Sequence, residues 1–424
     1  MSSRTDSGRP VARHGWGPAL VTVLGTLITM GAVAALGLWA AGATDLPEGS
    51  FPPVVAAAVV TAVGGTVELS GDAGGLAGTE GGLTVIPLSV TLAGALVLGG
   101  GFLRPLRHRD GAGAPELAGW TARIATLWLL AVIGLALAAR HTFELSLGDG
   151  PLGDLGDLFG FTPVVGFSTN VVPTVLIGLL WLAGVLVVSL AVSRDAPLPA
   201  GLLRLRTAVR PAARGMVGLL LAAVVICLVI ALVVAATRSH PAETFAVILL
   251  GLPNIAWLAL TVGLGATWDG RVEGPFGLPM PHVLDEVLRT PDVSLLNLGT
   301  LVEHDGGKWW WLLVVAAALL LATASATAAR SPARVRAWQH AVRMAVALAL
   351  TVLMICLMAR ITARLGLSVL GIGGLGEGFS GQVLLRPRLW GAVGLALLWG
   401  LVTGFAGALL ARAVRRRDAA RPGG

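Results

Sequence analysis

Eight stretches of this chain are long and apolar enough to cross about 30 Å of hydrocarbon as single helices, which limits its fold more than any motif does. They run over 17–43, 83–103, 119–139, 171–193, 215–237, 309–329, 341–363 and 389–411. Composition agrees: 55% of the 424 residues are hydrophobic and 12% are charged, where soluble domains carry about 25% charge. The expectation is an all-α integral membrane protein with eight transmembrane helices. The first run follows Arg4, Arg9 and Arg13 and ends in Ala41-Gly42-Ala43. It exceeds the roughly 7–15 residues of a signal-peptide core, so it is read as a retained span.

Charge orients the spans. With the N-terminus in the cytoplasm, 21 Arg and 5 acidic residues fall inside, against 9 basic and 18 acidic residues outside. Loop arginines stay on the cytoplasmic side, so both termini are expected there. Clustering of the arginines at span ends also argues against nucleic acid as a partner. The bilayer is the expected one.

Two more apolar segments resist the pattern. Pro52 to Val67 is short, and Glu243 to Trp268, although long enough, would export the arginines from Arg330 to Arg343 and Arg415-Arg416-Arg417 if it crossed. Both read as re-entrant or outer-face segments that dip from outside and return. In the second, Gly251-Leu252-Pro253-Asn254 predicts a break into two half-helices, with Pro253 and Asn254 at the tip of a hairpin. Asn254 can supply both a donor and an acceptor there. Glu68 stands at the edge of the first segment, a carboxylate that needs a partner if it lies at membrane depth.

The chain also reads as written twice. GFSTNV (Gly166 to Val171) and GFSGQV (Gly378 to Val383) each precede the last span of a half. Arg123 and Arg343 are each followed 17 residues later by Arg140 and Arg360, and eight of twenty positions agree between 123–142 and 343–362. Leu-Leu-Trp ends at Trp181 and at Trp399, 13 residues before Arg194 and Arg412. The expectation is two parallel four-span repeats, 1–214 and 215–424, the second carrying an outer cap over 269–308.

Polar residues worth following as pathway or structural groups are Glu68, Arg140, Asn170, Pro253, Asn254, Arg360 and Gln382. Arg140 and Arg360 serve equally as snorkelling anchors or as cationic centres facing outer acids. The Gly-rich loops Leu147 to Phe161 and Leu370 to Phe379 serve as flexible connections or as cavity linings. No zinc spacing joins the seven histidines, and no GxSxG, HExxH or GxxxxGK[ST] occurs. No catalytic residue, cofactor or metal is expected, and the chain is not expected to be an enzyme. Cys227 and Cys356, both within apolar runs, read as small packed hydrophobes.

TVELSGDAGGL (Thr66 to Leu76), GLTVIPLSVTLAGALVLGGGFLRPLR (Gly82 to Arg107) and GATWDGRVEGPFGLPMPHVLDEVLR (Gly265 to Arg289) resemble the streptophobe family of actinobacterial multi-pass membrane proteins. The resemblance extends over nearly the whole chain and implies residence in the plasma membrane. It brings no activity and no functional residues. Two roles remain: a non-catalytic scaffold or accessory protein, or a permease for a small solute with its site between the halves.

Overall fold

The computed structural model describes residues 15–47, 49–73, 77–108, 114–144, 164–193, 200–237, 241–273, 288–289, 293–304, 307–331, 336–369 and 381–419. Its helices are α1 (Trp16–Ala40), α2 (Phe51–Ala62), α3 (Leu88–Leu103), α4 (Ala114–Ala138), α5 (Val171–Val192), α6 (Ala200–Thr237), α7 (Pro241–Gly263), α8 (Leu298–His304), α9 (Trp310–Arg330), α10 (Ala337–Met358) and α11 (Leu389–Ala419). Eight of these are long and apolar enough to span a membrane: α1, α4, α5, α6 from Val209, α7, α9, α10 and α11 to Ala413. Their outward side chains are apolar, with Val21 and Leu180 each 72% exposed and Trp390 92% exposed. Such a surface suits lipid, and the chain is built as a multi-pass membrane protein.

The all-helical expectation is corrected by a sheet. Strands β1 (Val67–Ala73), β2 (Ala77–Thr84), β3 (His141–Glu144), β4 (Val164–Thr169), β5 (Trp268–Glu273), β6 (Ser294–Leu296), β7 (Ile361–Val369) and β8 (Gly381–Pro387) form one eight-stranded antiparallel sheet, in the order β3-β4-β1-β2-β7-β8-β5-β6. Only β3 and β6 are very short, several of the others contain glycine, and each abuts an apolar run whose signal hides the alternation expected of a half-buried strand. Both halves of the order follow one scheme, β3-β4-β1-β2 and β7-β8-β5-β6. Their registers agree as well. His141 faces Phe167 as Ile361 faces Leu385, and Val67 faces Thr169 as Trp268 faces Pro387. The shift along the chain that takes Phe167 to Leu385 and Thr169 to Pro387 also takes Trp181 to Trp399. It does not take GFSTNV to GFSGQV. Phe167 and Ser168 lie in β4, whereas the second copy's Gly381 only begins β8 and its Gly378 to Ser380 lie outside the described residues. The hexapeptides therefore do not share the spacing that joins Trp181 to Trp399.

Every strand leads into or out of a helix end, so the bundle has a sheet end and an opposite end. Close packing fixes the directions. A Cβ on Gly94 would lie 2.5 Å from the Met30 sulfur, and one on Gly101 2.6 Å from Thr22, so α1 and α3 run antiparallel. Arg214 Nε donates to the Val192 carbonyl (2.8 Å), which places the arginines of α6 at the far end of α5 from β4. Arg104 caps α3, and Arg330, Arg336 and Arg412 mark the ends of α9, α10 and α11 away from the sheet. The arginine-rich ends and the sheet are thus at opposite poles.

Two predicted elements differ in length. The run over 83–103 spends its first residues on β2 and the turn at Pro87, leaving α3 with 16 residues, roughly 24 Å. The hairpin predicted at Pro253-Asn254 is absent: α7 is one unbroken helix of 23 residues through Pro253. The described contacts of α7 with α1, α3 and α9 lie near their sheet ends, at Gly37, at Ile86 to Ser89 and at Leu312. The short α2 behaves similarly, with Ala56 and Ala57 packing among Ala139 and Phe167 beside the sheet. Both end in the same turn. Gly64 and Gly65 donate to Thr61 and Val60, Gly265 and Ala266 to Val262 and Thr261, and both Gly64 and Gly265 have φ of 93°. This is the left-handed carboxyl cap that glycine adopts without steric cost.

The cap expected over 269–308 contributes β5, β6 and α8 to the sheet end, and Leu288 packs with Val272 and Val383 beneath it. Its Pro-Gly-rich stretch 274–281, like the loops over 147–161 and 370–379, lies outside the described residues.

Candidate functional site

The densest long-range polar bonding within the described helices surrounds Pro253. Proline has no N–H, so the Leu249 carbonyl loses its donor within α7 and the helical ladder weakens there. Ser89, in the first turn of α3, enters this weak point. Its hydroxyl donates to the Ile248 carbonyl (2.8 Å) and accepts from the Leu252 N–H (3.2 Å). Asn254 completes the joint by bonding the segment that leads into α3. Its Nδ2 donates to the Ile86 carbonyl (2.9 Å), and its Oδ1 accepts from the Leu88 N–H (3.0 Å). Asn254 thus uses the donor and acceptor expected of it, but on another element. Ser89 bonds the Ile248 carbonyl and the Leu252 N–H in the turn just before Pro253, and Asn254 bonds the segment before α3, so α7 is held on both sides of the missing N–H and runs on without a reversal.

Packing reinforces the joint on both sides. A Cβ on Gly37 would stand 2.6 Å from Leu250 Cγ, so only glycine lets α7 lie so close to α1. At its other end a Cβ on Gly263 would meet the Leu312 carbonyl of α9 at 2.8 Å. Trp257 Nε1 donates to Leu220 of α6 (3.2 Å), and Trp399 Nε1 donates to Leu264, just beyond α7 (3.0 Å). One helix therefore ties α1 and α3 to α6, α9 and α11.

The remaining candidates are spread around the sheet. Glu68 is exposed on β1, between Gly82 and Ser168. Arg140 and Arg360 are exposed where α4 passes to β3 and α10 to β7, and Arg140 reaches the Thr169 carbonyl at 3.4 Å. Asn170 is the residue before α5, and its carbonyl accepts from the Thr174 hydroxyl (2.7 Å). Gln382 sits on β8 between Arg364 and Glu273. Only Pro253 and Asn254 come together with each other. Among the described residues, no group of three or more His, Cys, Asp or Glu could hold a metal. Cys227 and Cys356 are both free thiols.

Sequence reasoning missed Ser89 and His340. Ser89 could have been found by asking which hydroxyl answers a proline within an apolar helix. His340 is buried in α10, its Nε2 3.2 Å from the Ala324 carbonyl and 3.4 Å from the Thr327 hydroxyl, and Trp120 of α4 donates likewise to the Phe102 carbonyl (3.2 Å). A recess of about 80 Å³ lies between α6, α7 and α9, lined by apolar side chains that include Ile226, Cys227, Ile230, Trp311 and Val315.

No family model, no curated protein and no solved structure matches this chain.

Proposed function

We propose that the chain is a plasma-membrane scaffold or accessory protein without catalytic activity, built from two parallel repeats and related to the streptophobe family through the three motifs quoted above. The division is drawn at Arg214, within α6, which runs through Arg214 and Gly215. The repeat reading is supported by the matching strand orders and registers. In this arrangement α3 crosses the bilayer, α2 and α7 are outer-face segments, and both termini are cytoplasmic, in keeping with the arginines at the pole opposite the sheet.

One observation carries the scaffold reading: β2 pairs with β7 over eight residue pairs, Ala77 with Val369 through Thr84 with Thr362. A permease that works by rocking one half against the other would have to shear this ladder. At about 0.5–1.5 kcal/mol for each of roughly eight backbone bonds, that costs on the order of 4–12 kcal/mol. The permease reading draws its support from Pro253, whose weakened ladder lies where the halves meet.

Spin labels at Arg104→Cys and Arg412→Cys, on a background lacking the native thiols and reconstituted in liposomes, distinguish the two. A single narrow distance distribution is expected of a scaffold. Two populations whose ratio shifts with a solute gradient would establish the permease.

A further inference from the structure

We propose that the recess between α6, α7 and α9 holds one acyl chain of a phospholipid whose phosphate lies at Lys308. This rests on the repeat reading, because the argument compares the recess with its counterpart in the first half. There the groove between α1 and α3 is filled by α7. Gly37 admits Leu249 and Leu250, and Ser89, the second residue of α3, bonds the α7 backbone. In the second half the counterparts of α1 and α3 are α6 and α9, and the second residue of α9 is Trp311. Ile226 and Ile230 line the α6 side. The element that would cross over is α2, which has 12 residues where α7 has 23.

Size decides what enters. A helix needs a position like Gly37 to approach so closely, and Ile230 and Trp311 hold its backbone away. A hydrocarbon chain has no backbone to hold off, and a partly open space of about 80 Å³ takes a few of its methylenes while the rest of the chain stays in lipid. The surroundings are apolar too, since Val229 and Val314 on the flanking helices are 56% and 66% exposed. At the mouth, Trp309 and Trp311 stack with centroids 6.3 Å apart, an aromatic pair of the kind found at the headgroup level. Lys308 is exposed in the turn leading into α9, three residues before Trp311, and its ammonium complements a lipid phosphate.

The test uses the full chain in vesicles of phosphatidylethanolamine and phosphatidylglycerol, with a trace of phosphatidylglycerol carrying a diazirine in one acyl chain. After irradiation, adducts are expected to be enriched about tenfold on 226–230 and 311–319 over the lipid-facing 172–180, a preference of about 1.4 kcal/mol over bulk lipid that must come from chain packing and the Lys308 contact rather than from burial out of water. Ala259→Phe, which fills the recess from a half-buried position, should abolish the enrichment without changing the melting temperature. Lys308→Gln should lower it about threefold. Even labelling along all the lipid-facing helices would overturn the proposal. So would ready cross-linking of Cys227 to Cys227 of a second copy, because a helix would then occupy the groove. The repeat reading fails separately, if an experimental structure places Arg123 and Arg343, or Trp181 and Trp399, in non-equivalent spans.

Discussion

Replacing Asn254 by Leu, and separately Ser89 by Ala, tests the account of the α7 joint, because the two losses should be very unequal. Asn254→Leu strips the Leu88 N–H and the Ile86 carbonyl of their partners at 3.0 and 2.9 Å. Pro87 lies between them and has no N–H to offer, so the segment cannot re-pair locally. Two orphaned backbone groups cost about 2–6 kcal/mol together, and a half-buried leucine returns about 1, leaving a loss of about 1–5 with 3 as the central figure. Ser89→Ala removes two bonds as well, at 2.8 and 3.2 Å. The groups it frees, the Ile248 carbonyl and the Leu252 N–H, are four residues apart in one helix and can bond each other. Its cost should therefore stay below about 1 kcal/mol. Unfolding in mixed micelles with rising dodecyl sulfate, followed by circular dichroism, gives both numbers. A Ser89→Ala loss equal to or greater than that of Asn254→Leu would refute the reasoning.

Gly37→Leu should destabilise by about 1–3 kcal/mol through overlap with Leu250, and Leu250→Ala should recover part of it in the double variant, as read by the same titration. Thr84→Cys with Thr362→Cys places two thiols on directly opposed residues of β2 and β7, whose Cα separation of about 4.5–5.5 Å suits a disulfide; oxidation should link them, and a mobility shift lost on reduction between the fragments of a protease-nicked chain records it. Trp128→Phe removes the bond to the Gly178 carbonyl (3.0 Å) and reduces the stack on Trp181, and should cost about 1–3 kcal/mol in unfolding free energy. A cysteine placed at Arg334 should resist an impermeant maleimide applied to intact cells, and one at Arg360 should react.

Seven of the eight predicted spans were legible because a 20-residue apolar run has few other uses; the eighth, 83–103, yields a helix of 16 residues, and α7, read as not crossing, has the length and apolarity of a span. Trp181 and Trp399 lie on α5 and α11, each 14 positions beyond Phe167 and Leu385 of the strand before it. The hexapeptides do precede α5 and α11, but their spacing differs by six residues from the one that joins Trp181 to Trp399. The sheet escaped because β3 has four residues and β6 three, β2 is interrupted by glycines, and β7, whose nine residues do alternate from Ile361 to Val369, begins inside the stretch read as a span to 363. Pro253 was rightly marked as a break in the hydrogen-bond ladder but wrongly as a reversal. The deciding partner, Ser89, lies more than 150 positions away, and no local pattern carries that distance.

The β2–β7 ladder also sets a timetable for synthesis. β2 can pair with β1 on its first side as soon as both emerge, yet its second side waits for β7, whose first residue comes about 280 positions after Thr84. At roughly 5–20 residues per second the wait is about 15 to 55 s. During that time a row of backbone amides and carbonyls stands open on the nascent chain, able to pair with a neighbouring copy emerging from the same message. Closing the sheet between the first and last thirds of the chain thus makes the native seam and the route to misassembly the same edge, separated only by the order in which strands arrive.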